Sequence, residues 1–204
     1  MTDPRRLFAS AAEHFVGLVR AIPAGRWDDP GLGQWSVRDL VGHTSRSLIT
    51  VSTYLAVPAQ REDIGDAVDY YIAMQSVASG IGAAGVVERG RQAGRDLGAD
   101  PAATVAELAS RALADVAAAD DPLIEVIGGH GIRLSSYLPT RTFELAVHGL
   151  DIAGAVGLAA EPPAEVLADA AGLAARIGVA LGHGPALLRT LTGRAALPGG
   201  FSVV

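Results

Sequence analysis

Cysteine is absent from this chain of 204 residues. Its absence excludes disulfide bonds, thiolate metal ligands and a cysteine nucleophile, and it suits a protein of the reducing cytosol. Lysine and asparagine are absent too, so all 16 basic residues are arginine, a composition typical of GC-rich genomes. No apolar run is long enough for a signal peptide or a membrane span. We therefore expect a cytoplasmic protein that does not contact membranes.

The charge balance is acidic, with a formal net charge of -6. A nucleic-acid-binding protein would show a basic stripe instead, so nucleic acid is excluded as a partner. Half of the residues are hydrophobic, which allows a sizeable core without disulfide bonds. The chain shows no repeats and no low-complexity linker. We predict a single domain over residues 1–204, with a bundle core over about 5–182 and a tail over 183–204.

Hydrophobic residues recur mostly at helical spacing, which predicts an all-α fold. Capping residues, prolines and glycines mark where the helices begin and end. The first predicted helix ends before Pro23. The others run from Ser36 to near Pro58, from about Asp66 to Leu97, from Asp100-Pro101 to about Ala119, from Ser135 or Ser136 to Gly157, and from after Pro162-Pro163 to about Leu181. One or two helical turns and a coil follow the last of these helices.

Some of these boundaries have specific local signals. Ser36 is a good N-cap, Asp39 occupies the capping-box position, and Trp35 precedes the cap as one half of a hydrophobic staple. Gly157 is a natural residue to follow a helix end. The glycines between residues 80 and 90 could break the third helix in two. Residues 122–134 could form a short hairpin or an ordered loop.

One segment carries most of the chemical information. Tyr137, Arg141, Glu144, His148 and Asp151 are four, three, four and three residues apart, so on a helix they form one continuous stripe. Apolar residues flank the stripe on both sides, which favours a stripe that points into the bundle. Buried charges need partners, and a metal ion is one such partner. In the alternative interpretation, the small residues opposite form a close helix contact and the stripe faces solvent.

A metal site needs a third ligand, and His43 on the second helix is the best candidate because it lies at a helix seam. Three protein ligands and an open fourth position are typical of catalytic zinc, and nickel, cobalt or iron are alternatives. Asp39 and Asp151 are placed to orient the ligand imidazoles. Arg46 and Arg141 are candidates for binding an anionic substrate or the ligand carboxylate. In isolation, a Glu-x-x-x-His pair would more often be a surface ion pair.

Two segments together resemble a known family. GQWSVRDLVGHTSRS and, much later, RTFELAVHGLDIAGAVG are similar to the mycothiol-dependent maleylpyruvate isomerase family of the DinB-like superfamily. The resemblance covers residues 5–157 well, and the tail more loosely resembles actinobacterial members. It implies a DinB-like four-helix bundle with a crossover connection, plus short extra helices. It also implies a metal held by two histidines and one glutamate, which fall on His43, Glu144 and His148.

The resemblance further implies mycothiol as the thiol co-substrate of a transferase or isomerase that acts on a small electrophile. The family's isomerase has a further C-terminal α/β domain that contributes an active-site arginine, whereas only a short segment follows the bundle here. This difference favours a mycothiol S-transferase or an orphan relative of the family. The alternatives are a non-catalytic metal-binding bundle that binds a small ligand or a partner, and a metal-dependent hydrolase that uses bound water. We expect a monomer or a homodimer.

Overall fold

The computed structural model describes residues 3–204, except the side chains of residues 76–81 and 83. Within this part the chain forms seven α-helices, one short 3₁₀ helix and a two-stranded antiparallel sheet. The predicted all-α fold with a small hairpin is therefore confirmed. The elements are α1 (Pro4–Ala21), the 3₁₀ helix (Ala24–Arg26), α2 (Val37–Leu55), α3 (Ala67–Asp96), α4 (Pro101–Ala118), β1 (Leu123–Val126), β2 (His130–Arg133), α5 (Leu134–Val156), α6 (Ala164–Ala180) and α7 (Gly184–Leu191).

Four of the helices close a ring. α1 packs on α5, α5 on α2, α2 on α4, and α4 on α1. Two pairs of consecutive helices therefore stand at opposite corners: α1 is diagonal to α2, and α4 is diagonal to α5. α3 packs outside the ring against α2, and α6 packs outside it against α5. This arrangement is a four-helix bundle in which two of the connections, from α1 to α2 and from α4 to α5, join opposite corners.

Large apolar side chains fill the centre of the ring. Phe8 and Phe15 of α1, Leu40 and Leu48 of α2, and Leu145 of α5 are all fully buried. Burial of such a side chain contributes about 1.5–3 kcal/mol relative to leaving it exposed. The same packing fixes α2 against α5, the two helices that carry the candidate metal ligands.

The helix ends follow the local sequence closely. The Ser36 hydroxyl accepts a hydrogen bond from the Asp39 backbone amide (3.2 Å), and the Asp39 carboxylate accepts one from the Ser36 amide (3.1 Å). The predicted capping box is therefore confirmed. Asp66 and Asp100 cap α3 and α4 through their carboxylates, which accept hydrogen bonds from backbone amides of the first turn. Gly157 ends α5 with φ 71°, a left-handed conformation that glycine adopts at little cost.

Glycines also set the shape of α3. Gly82 has φ 72° and ψ 157°, and the helix kinks there, which confirms the predicted break. Further along, a Cβ on Gly42 of α2 would lie 2.3 Å from the backbone nitrogen of Gly94. The backbones of α2 and α3 therefore approach as closely as glycine alone permits.

The connection between α4 and α5 contains the hairpin, in which Ile124 pairs with Ile132. The chain then enters α5 directly from β2, with its first helical residue at Leu134. The prediction that Ser135 or Ser136 caps this helix is wrong. Ser135 is already inside the helix, where its amide donates to the carboxylate of Asp121 at 2.7 Å. A carboxylate from the preceding connection thus takes the place of a serine cap.

Beyond α6, the chain forms α7 and then an irregular tail, as predicted. The tail folds back so that the rings of Phe201 and His183 meet edge to face, with centroids 5.2 Å apart. In the part of the chain that the structure describes, none of the helices combines the length and the apolar character needed to cross a membrane.

Candidate metal centre

Three potential metal ligands converge where α2 faces α5. His43 comes from α2, and Glu144 and His148 come from adjacent turns of α5. One ligand atom from each lies within 4.8 Å of the other two. Nε2 of His148 is 3.4 Å from Oε2 of Glu144, and the two imidazole rings meet edge to face with centroids 5.1 Å apart. The structure therefore brings together the three residues that the sequence singled out.

The stripe on α5 is enclosed by the bundle. The side chains of Glu144 and His148 are only 23% and 15% exposed, and Tyr137 at the start of the stripe is fully buried. The small face opposite is buried as well, because a Cβ on Gly149 would lie 4.0 Å from Leu18 of α1. α5 is thus packed on both sides, and a solvent-facing stripe, the alternative interpretation, is wrong.

Two hydrogen bonds hold the α5 ligands in place. Nδ1 of His148 lies 3.0 Å from Oδ2 of Asp151, the carboxylate that the sequence offered as an orienting group, and this leaves Nε2 facing Glu144. The Tyr71 hydroxyl of α3 donates to Oε1 of Glu144 at 2.7 Å and also lies 3.3 Å from the backbone oxygen of Thr140. Such partners fix the orientation of a ligand and strengthen its bond to a metal.

The two imidazoles differ in their affinity for protons. Burial, together with the nearby charge of His148, lowers the pKa of His43 to about 4. Burial also opposes charge on His148, but its hydrogen bonds to Asp151 and Glu144 prevail and raise its pKa to about 9. For Glu144, burial is outweighed by the hydrogen bond to His148 and the charge of Arg141, so its pKa falls to about 2. At neutral pH without a metal, a proton on His148 therefore pairs with the Glu144 carboxylate.

His43 is held by stacking rather than by a carboxylate. The indole of Trp35 lies on its ring with centroids 4.4 Å apart and planes inclined by 30°. The indole nitrogen donates to the backbone oxygen of Val87 at 2.9 Å. Gly90 makes room for this arrangement, because a Cβ there would lie 2.4 Å from the indole. The carboxylate of Asp39, a predicted orienting group for His43, is instead occupied in the capping box of α2.

The two predicted substrate-binding arginines occupy different surroundings. The guanidinium of Arg141 is enclosed by aromatic rings, 4.9 Å from the centroid of Tyr137 and 5.4 Å from that of Tyr70. Arg46 is half-buried on α2, in the wall of a cavity next to α3 and α4. Both charges lie near enough to His43 to lower its pKa. A direct role for either arginine in substrate binding stays a prediction.

Comparison with known proteins agrees with this geometry. Residues 8–153 match the family model described as the mycothiol maleylpyruvate isomerase N-terminal domain. The chain belongs to this family. The matched range includes all three converging residues and the helices that carry them. No curated protein and no solved structure matches the chain.

The residues of this family member suit a divalent metal. Two ligand atoms about 2.1 Å from a tetrahedral zinc ion lie about 3.4 Å apart, which is the spacing between His148 and Glu144. Nδ1 of His43 is buried and has no hydrogen-bond partner among the described residues. A buried polar atom of this kind needs another group to satisfy it. Two nitrogens and one oxygen also form a ligand set that leaves a fourth position open.

The other histidines lie outside the centre. Within the described residues, His43, Glu144 and His148 are the only group of three metal-ligating side chains that lie this close together. Sequence reasoning missed Tyr71 entirely and gave Trp35 only a packing role at the start of α2. The Tyr-Tyr pair at positions 70 and 71 follows the cap of α3, and this was the one available signal. Spacing within α3 does not reveal which of the two faces Glu144.

Proposed function

We propose that this protein is a metal- and mycothiol-dependent transferase or isomerase that acts on a small electrophile. The observation that carries the proposal is the convergence of His43, Glu144 and His148 from two helices to within 4.8 Å, inside a chain segment that matches the mycothiol maleylpyruvate isomerase N-terminal domain. Zinc is the favoured metal, with nickel, cobalt or iron as alternatives.

Each residue has a distinct task in this proposal. A divalent metal, when bound, lowers the pKa of a thiol that coordinates it. His43, Glu144 and His148 hold the ion, while Asp151 and Tyr71 fix the direction of two of these ligands. The chain has no cysteine, so the reacting sulfur must come from a separate thiol, for which we propose mycothiol.

The positive charges beside the site suit the substrates of such a reaction. The charges of Arg46 and Arg141 act on His43 and would favour a thiol that has lost its proton. In the transferase reaction, the thiol sulfur forms a bond to the electrophilic carbon. The leaving group departs with the electron pair of the broken bond, and the thiol proton passes to solvent.

A fluorogenic electrophile tests this proposal directly. The full chain is loaded with zinc and mixed with mycothiol and monochlorobimane, whose chloride is displaced by a thiol to give a fluorescent thioether. We expect a rate above the uncatalysed background that requires both zinc and mycothiol. His148→Ala should lose zinc and the rate together, whereas Arg111→Met, which removes an exposed charge on α4, should keep both.

Other outcomes would replace the proposal with a different function. Stoichiometric zinc without any thiol-dependent rate, for monochlorobimane and for a panel of other small electrophiles, would indicate a non-catalytic metal-binding bundle. Hydrolysis of an ester such as 4-nitrophenyl acetate without thiol would indicate a hydrolase in which water is the nucleophile. Stoichiometric zinc in His148→Ala would show that the ligand set is wrong.

A further inference from the structure

The cavity in whose wall Arg46 lies is beside the metal centre, between α2, α3 and α4. Its volume is about 430 Å³, within the range of about 300–1,000 Å³ typical of small-molecule sites. Ile49, Ala93, Leu97 and Leu108 give it an apolar wall, and none of the three candidate metal ligands lines it. Arg46 is three residues after His43, about 60° around the helix by helical geometry. The cavity is therefore a neighbour of the metal centre rather than a part of it.

Most polar groups in the cavity wall are already satisfied by the protein. The Ser45 hydroxyl donates to the backbone oxygen of Val41 at 2.8 Å, and the Thr104 hydroxyl donates to that of Leu97 at 2.9 Å. The Gln92 amide donates to Asp96 at 2.7 Å. The hydroxyl protons of Ser45 and Thr104 are therefore used within the protein and are not available to an anion.

The two arginines of the wall are different. Neither the guanidinium of Arg46 nor that of Arg89 forms an ion pair or a side-chain hydrogen bond with any residue that the structure describes. One acidic side chain, that of Asp96, lines the same wall. Two arginines and one aspartate leave the wall with an excess of one positive charge, although the chain as a whole carries a net charge of -6.

We propose that this cavity binds a small monoanion with an apolar body, of which a medium-chain carboxylate is the simplest example. The guanidiniums of Arg46 and Arg89 would hold the carboxylate, because their planar donor pairs match its two oxygens. The side chains of Leu97 and Leu108 would contact the apolar body. The site goes beyond the proposed thiol chemistry, since its occupancy needs neither the metal nor the thiol.

Calorimetric titration of the metal-free full chain with octanoate tests the site. We expect saturable binding of one octanoate per chain and much weaker binding of octanamide, which has the same body without the charge. Arg46→Met should weaken octanoate binding about tenfold, since this arginine is half-buried. Arg89→Met should weaken it about threefold, since this arginine is exposed. Arg111→Met, which removes the same charge outside the cavity, should bind as the unaltered protein does.

Two further variants separate this site from the metal centre and from a folding defect. His148→Ala should bind octanoate normally. Ile49→Trp, at a cavity position that is 37% exposed, should fold and lose octanoate because the larger side chain fills the space. Absence of saturable binding, equal affinity in Arg46→Met and Arg111→Met, or unchanged affinity in Ile49→Trp would overturn the proposal. Loss of octanoate in His148→Ala would place the anion at the metal centre and also overturn it.

Discussion

Replacement of Tyr71 by phenylalanine should weaken metal binding without changing any metal ligand. The hydroxyl of Tyr71 donates to Oε1 of Glu144 at 2.7 Å, a short bond to a charged acceptor. Hydrogen bonds to charged groups contribute about 1.5–3 kcal/mol, and loss of a partner behind a metal ligand typically lowers metal affinity about 10- to 100-fold. Glu144 would retain its contact with His148 and the charge of Arg141. We therefore expect the lower part of that range, a loss of about 10- to 30-fold.

The neighbouring tyrosine provides a matched control. The hydroxyl of Tyr70 lies 3.4 Å from Nη2 of Arg141, so Tyr70→Phe removes the same atom without touching the carboxylate of Glu144. Zinc affinity of both variants can be measured by competition with a chromophoric chelator, alongside their thermal midpoints. We expect a loss of affinity in Tyr71→Phe alone. An unchanged affinity in Tyr71→Phe, or an equal loss in Tyr70→Phe, would refute the role of this hydrogen bond.

Two further predictions concern protons and packing. The metal-free pKa is about 9 for His148 and about 4 for His43, so zinc must displace one proton, that of His148, at neutral pH. The affinity for zinc should therefore rise about tenfold per pH unit between about pH 6 and 8. A zinc affinity that does not change with pH in this range would contradict the raised pKa of His148. Gly90→Ala places a Cβ 2.4 Å from Trp35 and should lower the free energy of unfolding by about 1–3 kcal/mol. Gly154→Ala, on an open helix surface, should instead raise the free energy of unfolding by about 0.5–1 kcal/mol. If urea denaturation showed Gly90→Ala to be more stable than Gly154→Ala, the packing argument would be contradicted.

Most helix boundaries were predictable because a few consecutive residues determine them. The caps at Ser36, Asp66 and Asp100 and the glycine end at Gly157 all depend on side chains within a few positions of the boundary. The stripe on α5 was predictable for the same reason, since helical spacing alone aligns Glu144 with His148. Its inward orientation followed from the apolar residues on both sides.

The features that sequence reasoning missed depend on residues far apart in the chain. The start of α5 was misplaced because the amide and the hydroxyl of Ser135 donate to Asp121, which lies before the hairpin. The hydrogen bond from Tyr71 to Glu144 joins residues 73 positions apart. The support of His43 by Trp35 depends on the absence of a side chain at Gly90. No local pattern encodes such contacts, because each joins separate parts of the chain that meet only when the helices pack together.

The diagonal connections of the bundle have a consequence for how the chain folds. None of the four contacts around the ring joins helices that are consecutive in sequence, so every one requires a long segment to close before it can form. Helical proteins usually fold fast because their contacts are local. This chain must first lose the loop entropy of distant pairings, and we expect its folding rate to fall nearer to that of mixed α/β proteins than to that of up-and-down helical bundles of the same length.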